Sequence, residues 1–175
     1  VMKDQERMDE DLWGVEEDED TQANKYLSFR IGKESYGISI RLIIEIIEMQ
    51  KIIEMPDVPD FVKGIINLRG KIIPVIDLRL RFHFEGRPYD DRTCVIVIEV
   101  SGNYIGLIVD TVEEVVEITE KNIEHPPHFK GDKARDRYIS GLGKIGDSVK
   151  ILLDVNKILY DEDIKSITEE LEKIS

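Results

Sequence analysis

Residues 64–77 read GIINLRGKIIPVID, and this stretch decides the fold. Its two runs of mostly apolar, β-branched residues are typical of strands, and the Arg69-Gly70 pair between them is typical of a tight turn. Pro74 has no backbone N–H, so it indicates a sheet edge or a bulge. The stretch therefore predicts a β-hairpin that ends at Asp77.

The same landmarks recur in the second half of the chain. In both halves a glycine stands eight positions before a Glu-x-x-Glu pattern, and a later glycine stands 13 positions before an aspartate. The landmarks are Gly37, Glu45, Gly64 and Asp77 in the first half, and Gly106, Glu114, Gly141 and Asp154 in the second. Such a repeat indicates a tandem duplication of a small β unit. Its strands are too short for a broad open sheet, so we expect two small closed barrels packed together.

The remaining segments fit a mainly β chain with short helices. Period-two alternation at Leu27, Phe29 and Ile31 predicts the first strand. Residues 41–49 predict a helical turn that feeds a strand. Apolar residues at three- and four-residue spacing near the C-terminus predict an amphipathic helix over 161–175.

Charge is spread unevenly along the 175 residues, whose formal net charge is −13. Residues 1–24 hold ten acidic residues against Lys3 and Arg7, and a segment of this composition is predicted to be disordered. An acidic chain repels phosphate backbones and acidic lipid surfaces, which argues against nucleic acid as a partner. The 35% share of charged residues, rich in Glu and Lys, is typical of a thermophilic source.

The compartment follows from what the sequence lacks. No stretch approaches the roughly 18 apolar residues of a membrane span, and no basic segment precedes an apolar run at the N-terminus. The single cysteine, Cys94, has no partner for a disulfide or a CxxC motif, so core packing is its expected role. We therefore expect a cytoplasmic protein that does not insert into the membrane.

Motifs that would carry catalysis are missing. The sequence has no phosphate-binding glycine loop, no nucleophile elbow, no HExxH pair and no EF-hand loop. His125 and His128 flank two prolines without convincing further metal ligands nearby. Asp77 and Asp154 occupy matching repeat positions, which favours a capping role over acid–base chemistry. The sequence predicts no enzyme activity, no cofactor and no metal.

Two adjoining motifs resemble the signature of the CheW family. They are FVKGIINLRG at residues 61–70 and PVIDLR at residues 74–79, and the resemblance extends over residues 25–160. It implies two tandem SH3-like, five-stranded β-barrels, with the first over about 25–90 and the second over about 91–160. In some family members strands cross between the halves, which leaves the boundary near residue 90 open.

The resemblance also implies a function, which is to act as an adaptor between chemoreceptors and a kinase. CheW-like proteins bind the cytoplasmic hairpin tip of chemoreceptors and the regulatory domain of the histidine kinase CheA. The receptor-binding positions carried over are Ile43, Glu45 and Arg69. Ile43 would give apolar contact, while Glu45 and Arg69 would fix orientation on a polar helical tip. On residue type alone, Ile43 equally fits a core position and Arg69 a solvated turn.

A second contact, with the kinase regulatory domain, is implied for the family loop that matches residues 124–129. Its candidates are Glu124, His128 and the aromatic Phe129. An aromatic after two prolines suits an interface anchor, although it equally suits a barrel cap. Glu124 stands where a basic residue can occur in the family and His128 where an acid can, so charge pairing at this contact is reversed or absent.

Three other interpretations remain open at this point. A CheW-like module of a CheA or CheV-type protein would have the same fold. A metal-dependent enzyme would use His125, His128 and a nearby acid. A small-ligand-binding β module would gain thermal stability from its ligand.

Overall fold

A computed structural model describes residues 22–125 and 134–159. The acidic segment 1–24 lies outside this range except for residues 22–24, and the helix expected over 161–175 lies wholly outside it. The strands are β1 Lys25–Ile31, β2 Glu34–Ser39, β3 Ile43–Glu48, β4 Val62–Leu68, β5 Lys71–Asp77, β6 Cys94–Val100, β7 Asn103–Val109, β8 Thr111–Glu117, β9 Ile123–Glu124, β10 Ile139–Ile145 and β11 Ser148–Leu153. Two short α-helices follow β5 and β11, α1 over Leu78–Arg81 and α2 over Val155–Leu159. The expected helical turn before β3 is a 3-10 turn over Ile40–Leu42.

The strands form two sheets, and each sheet takes strands from both halves of the chain. The order β8-β1-β2-β11-β10-β9 forms the sheet of what we call barrel A, and the order β3-β6-β7-β5-β4 forms that of barrel B. The hairpin β1–β2 thus joins the later strands, while β6–β7 joins the earlier ones. The fold is mainly β and has two SH3-like barrels packed together, as predicted. Strands do cross between the halves, so the sheets are not divided at residue 90.

This exchange of hairpins is reciprocal, which confirms the internal duplication. In barrel A, β2 pairs in parallel with β11 and Gly37 lies opposite Leu152. In barrel B, β7 pairs in parallel with β5 and Gly106 lies opposite Val75. The two repeat glycines therefore occupy equivalent positions, each on a hairpin docked against the other copy of the unit.

The main hydrophobic core spans both barrels. It includes Phe29 and Tyr36 from barrel A, together with Ile76 and Ile96 from barrel B, all almost completely buried. The ring of Phe82, just after α1, lies 5.6 Å from that of Tyr36 and 5.7 Å from that of Tyr138. The burial of large aromatic rings against both sheets holds the barrels together as one body.

Buried Arg81 also bridges the two halves at this interface. Its guanidinium lies 4.4 Å from the ring centre of Phe61 and 5.0 Å from that of Tyr138. Phe61 and Tyr138 each stand three residues before a repeat glycine, so they are equivalent positions of the two copies. Nε of Arg81 donates a hydrogen bond of 3.0 Å to the carbonyl of Ile158 in α2. A cation between two aromatic faces is stabilised by the negative charge density of both rings.

Both repeat aspartates cap the helices that follow the hairpins, as predicted. Asp77 accepts a hydrogen bond of 2.9 Å from the backbone N–H of Arg79. Asp154 accepts one of 3.3 Å from the backbone N–H of Lys157. Satisfying the free N–H groups of a helix start is the usual function of an aspartate at this position.

Pro74 lies on an inner strand of its sheet and so does not mark an outer edge, but a bulge of β4 between Val62 and Gly64 lies one residue pair away. Its strand β5 runs between β7 and β4, and Pro74 is paired with Ile65 in the regular part of the β4–β5 ladder. The N–H of Ile65 donates to the carbonyl oxygen of Ile53 at 2.9 Å, and the carbonyl oxygen of Ile65 accepts from the N–H of Ile53 at 2.8 Å. The ladder therefore needs no N–H from Pro74, and pairing with β7 begins only at Val75.

Candidate functional site

The turn between β4 and β5 carries the arginine of the candidate receptor site. Arg69 has a φ of +53° and Gly70 a φ of +86°, the backbone of a hairpin turn with two left-handed residues. The side-chain oxygen of Asn67 accepts a 2.8 Å hydrogen bond from the N–H of Gly70 and so stabilises the turn. A left-handed conformation costs a non-glycine residue about 1 kcal/mol. The turn therefore keeps an arginine at a position that favours glycine.

Arg69 and Glu45 come together across 24 residues of sequence. The guanidinium of Arg69 donates to Oε1 of Glu45 on β3, and the Arg69 side chain stays 70% exposed. Because β3 and β4 are the two edges of the barrel B sheet, this ion pair joins its ends where the barrel closes. The structure thus places two of the three predicted receptor residues in one surface pair.

Ile43 lies at the start of the same strand, two residues before Glu45. Its side chain is half-buried, packs against the main core, and lies opposite Ile98 of β6. Ile43 is therefore in part a core residue, and only part of its side chain faces outward.

Sequence reasoning missed an exposed aliphatic surface around this pair. Ile44 and Ile46 of β3 are 47% and 43% exposed, and Ile72, three residues after Arg69, is 36% exposed. Exposure alternates regularly along β3, but an unbroken apolar run such as Ile43-Ile44 conceals which of the two sets faces solvent because isoleucine occurs in both. The available signal was Glu48, which belongs to the same exposed set of β3 as Ile44 and Ile46.

A second group of charged residues, which sequence reasoning also missed, links the segments where the chain passes from barrel B to barrel A. Asp110 lies between β7 and β8, and its carboxylate accepts hydrogen bonds of 2.8 and 2.6 Å from Arg79. Oδ2 also accepts a 2.7 Å hydrogen bond from the N–H of Gly32 in the β1–β2 turn. Burial favours a raised pKa for Asp110, but the hydrogen bonds and positive charges outweigh it and hold this pKa below its usual value. We call this group the Arg79–Asp110 clasp.

The candidate kinase contact is described only in part. Glu124 is half-buried on the short strand β9, opposite Leu142 of β10. His128 and Phe129 lie outside the described residues. The structure therefore places one of these three residues on the edge of barrel A.

Next to Glu124, His125 has both ring nitrogens occupied. Nε2 lies 2.5 Å from a carboxylate oxygen of Glu120, and Nδ1 lies 3.2 Å from the carbonyl of Ser140. The hydrogen bond to Glu120 and the one to Ser140 raise the pKa of His125. These bonds occupy the ring nitrogens that a metal would need.

The described part of the chain contains neither a cluster of metal ligands nor a membrane-spanning helix. Residues 22–125 and 134–159 contain no group of three or more His, Cys, Asp or Glu side chains placed to hold a metal ion. None of the helices within these ranges is long and apolar enough to cross a membrane. Cys94 is partly buried and packs against the main core, as expected.

Two barrels that exchange hairpins and carry a charged pair on their surface are the features of a paired-barrel scaffold protein. The model of the CheW-like domain matches residues 25–163. The chain belongs to the CheW family of chemotaxis scaffold proteins.

Individual relatives agree with this assignment. The chemotaxis protein CheW of Klebsiella aerogenes is 38% identical over 145 residues, covering 83% of this chain and 87% of that protein. The CheW of Bacillus subtilis is 32% identical over 142 residues, covering 81% and 90%. The crystal structure of the scaffolding protein TtCheW from Thermoanaerobacter tengcongensis superposes with a TM-score of 0.73 at 36% identity, covering 80% of this chain and 94% of that one.

Proposed function

We propose that this chain is a non-catalytic cytoplasmic adaptor that couples the cytoplasmic hairpin tips of chemoreceptors to the histidine kinase CheA. The observation that carries the proposal is the Glu45–Arg69 pair, which stands at the closing edge of barrel B beside exposed isoleucines. Membership of the CheW family supports the same role. Receptor state would reach the kinase through contacts on this one rigid body, without a chemical step in the adaptor.

At the receptor contact, the charges are expected to give orientation and the aliphatic groups to give affinity. Glu45 and Arg69 offer one acceptor and one forked donor at a fixed separation, which suits the polar side chains of a helical hairpin tip. Ile43, together with the neighbouring exposed Ile44 and Ile46, would bury apolar area around them. An arginine kept in a left-handed turn has its backbone position fixed, so less freedom is lost on binding.

The kinase contact is expected at the opposite barrel. Glu124, His128 and Phe129 remain the candidates, with Phe129 as the aromatic anchor. Phe129→Ala should weaken binding to the CheA regulatory domain and leave receptor binding unchanged. Equal weakening of both partners would argue against separate contacts.

The test is a calorimetric titration of the full chain against a receptor hairpin fragment and, separately, against the CheA regulatory domain. Arg69→Gly is the sharpest variant, because glycine accepts the left-handed turn and only the side chain is removed. We expect it to weaken receptor binding about tenfold, as loss of a charged contact of ~1.4 kcal/mol would do, with kinase binding unchanged. Arg92→Ala, which removes an exposed arginine from another loop, is the matched control.

A charge swap separates side-chain recognition from turn shape. The double variant Glu45→Arg with Arg69→Glu keeps an internal pair of opposite charges but reverses its direction. If the receptor reads the charges, the swap should bind as poorly as Arg69→Gly. Full binding by both variants would remove this pair from the receptor site, and failure of the unmodified chain to bind either partner would end the adaptor proposal.

A further inference from the structure

Barrel A contains a cleft with mostly polar side chains, which also reaches Leu142 and Ile151 beside the main core. The cleft has a volume of about 520 Å³. That size lies within the range of small-molecule sites in proteins. Its walls come from β1, β2, β8, β10 and β11, and the side chains that matter for binding are Arg30, Lys33, Ser35, Glu113 and Lys150.

Lys150 forms the inner wall of this cleft and is only 9% exposed. Among the described residues, the charged neighbour of its ammonium group is Oε1 of Glu113, at 3.7 Å. That distance exceeds an ordinary hydrogen bond, and an ammonium group has three N–H donors. A nearly buried lysine therefore lines the cleft with donors to spare.

Glu113 already accepts hydrogen bonds from two serines, so it does not depend on the N–H donors of Lys150. Its Oε1 accepts hydrogen bonds of 2.7 Å from Ser28 and 2.9 Å from Ser35, and its Oε2 lies 3.5 Å from Arg30. The other lining carboxylate, Glu34, is paired with Arg135. Against these two acids stand Arg30, Lys33 and Lys150. The cleft is therefore locally cationic on a chain whose formal net charge is −13.

The equivalent interior of barrel B shows that the fold does not require this polarity. Val97 occupies the place of Ser28, because each lies opposite a repeat glycine, Gly106 or Gly37. Ile73 occupies the place of Lys150, and both Val97 and Ile73 are fully buried in a purely apolar cluster. A buried amine is costly in a protein interior unless something compensates for it. Ligand binding at the cleft supplies a reason for the lysine that packing does not.

We propose that the cleft of barrel A binds a small oxyanion, a phosphate or carboxylate group, through Lys150 and Arg30. The ammonium group at the inner wall would donate to the anion, and Arg30 would close over it from the rim. Ser148 offers a hydroxyl at the mouth, and Val149 beside it would contact the carbon skeleton of an organic anion. The site is separate from the Glu45–Arg69 pair of barrel B, so anion binding and receptor binding can be tested independently.

The experiment is a titration of the full chain, followed by two-dimensional NMR and calorimetry, in buffer held at constant ionic strength with chloride. The probes are inorganic phosphate and citrate, each up to roughly 10 mM, ten times a millimolar Kd. Shifts confined to cleft residues with either probe support the site, and the stronger probe identifies the chemistry. Shifts spread over other surfaces, or none with both probes, overturn it.

Two of the variants, Lys150→Ile and Ser28→Val, replace a residue of barrel A by its equivalent in barrel B. Lys150→Ile should weaken anion binding at least tenfold, whereas Lys150→Arg should keep most of it. Lys144→Ala removes an exposed lysine from the neighbouring strand β10 and should leave the affinity unchanged. Ser28→Val tests the same wall if Lys150→Ile fails to fold, and it should weaken binding several-fold because Glu113, losing one donor, draws Lys150 closer. Unchanged affinity in Lys150→Ile or, should that variant not fold, in Ser28→Val would refute the assignment.

Discussion

The two barrels have the same backbone plan and opposite interiors. In barrel B, Ile66 lies across from Ile73, and both belong to an apolar cluster with Val97. In barrel A, the equivalent cross-strand pair is Gly143 and Lys150, and the third position is Ser28. One copy of the duplicated unit is filled with branched aliphatic side chains, and the other holds a charged, hydrogen-bonded group.

The features that the two copies share, despite their different interiors, are those that specify the fold. The shared features are the hairpin turns, the repeat glycines at Gly37 and Gly106, and the parallel pairing of each exchanged hairpin. The smaller interiors of the two barrels differ in polarity, whereas the main core is common to both barrels and supplies most of the buried apolar area. In barrel A, the room left by Gly143 is taken by the side chain of Ile118, whose Cδ1 would lie 2.6 Å from an added Cβ.

The largest expected loss of stability comes from placing the lysine of barrel A at the equivalent apolar position of barrel B, where its charge has no partner. Ile73→Lys places an ammonium group among apolar side chains with no carboxylate beside it, so we expect it to destabilise the protein by roughly 3 kcal/mol or more. Lys150→Ile, the reverse exchange, should change stability by less than about 1 kcal/mol, because Glu113 keeps Ser28, Ser35 and Arg30. Urea unfolding of both variants measures the difference.

Ile73→Met is the control for altered packing, and we expect it to cost less than about 1.5 kcal/mol. Equal losses for Ile73→Lys and Lys150→Ile would show that both interiors are equally specialised for packing. That result would contradict a difference in specialisation between the two interiors.

The next effect concerns the crossing between the barrels, where the two copies also differ. Asp110 and its clasp partner Arg79 lie at the crossing from β7 to β8, whereas the equivalent position between β2 and β3 is the exposed Arg41. Arg79→Ala leaves a mostly buried carboxylate with fewer partners, so we expect a loss of about 2 kcal/mol. Thermal unfolding checks this value, and Arg41→Ala should cost less.

The clasp also predicts a pH dependence. The pKa of Asp110 is lower in the folded chain than in the unfolded one, so its contribution is fully present above the unfolded value of about 3.9. The contribution is lost as pH falls through the lower folded value. Asp110→Asn should therefore be less stable near pH 7 and should lose less of its remaining stability in acid. An acid limb identical to that of the unmodified chain would exclude this carboxylate as its source.

The smallest expected effect on stability concerns the short segments that pair with the outer sides of β4 and β10. In barrel B, Ile53 pairs with Ile65 through two backbone hydrogen bonds, whereas in barrel A the strand β9 is followed directly by His125, which bonds Glu120 and Ser140. The raised pKa of His125 means that its contribution is present below the unfolded value of about 6.5 and is lost as pH rises through the folded one. An NMR titration should give a His125 pKa above 6.5 that Glu120→Gln lowers. No change in Glu120→Gln would remove the Glu120 contact as the cause.

Much of the architecture could be predicted because it rests on local and periodic signals. The strand pattern, the turn at Arg69-Gly70 and the capping by Asp77 are decided within a few residues of sequence. The duplication was visible because glycines are required at a few backbone positions. At Gly64, for example, φ is +142° and an added Cβ would lie 2.1 Å from the carbonyl oxygen of Ile53.

The residues of the candidate receptor site were predictable, but their arrangement and their exposed neighbours were not. Family resemblance selected Ile43, Glu45 and Arg69, and the ion pair joins the last two. The exposed Ile44 and Ile46 were not predictable, because isoleucine also occupies the alternating half-buried positions of β3. The Arg79–Asp110 clasp depends on a contact between residues 31 positions apart, which no periodicity reports.

The class of this protein was predictable from local sequence: a duplicated, mainly β chain with helix-capping aspartates and a tight turn that carries an arginine. These features follow from backbone geometry and residue preferences, which act over short stretches of chain. Only the tertiary structure decided that the two copies exchange their first hairpins, that one barrel is apolar while the other encloses Lys150, and that Arg69 meets Glu45. Those outcomes depend on pairing between strands far apart in sequence, where the partner of each side chain is set by the register and closure of the sheet.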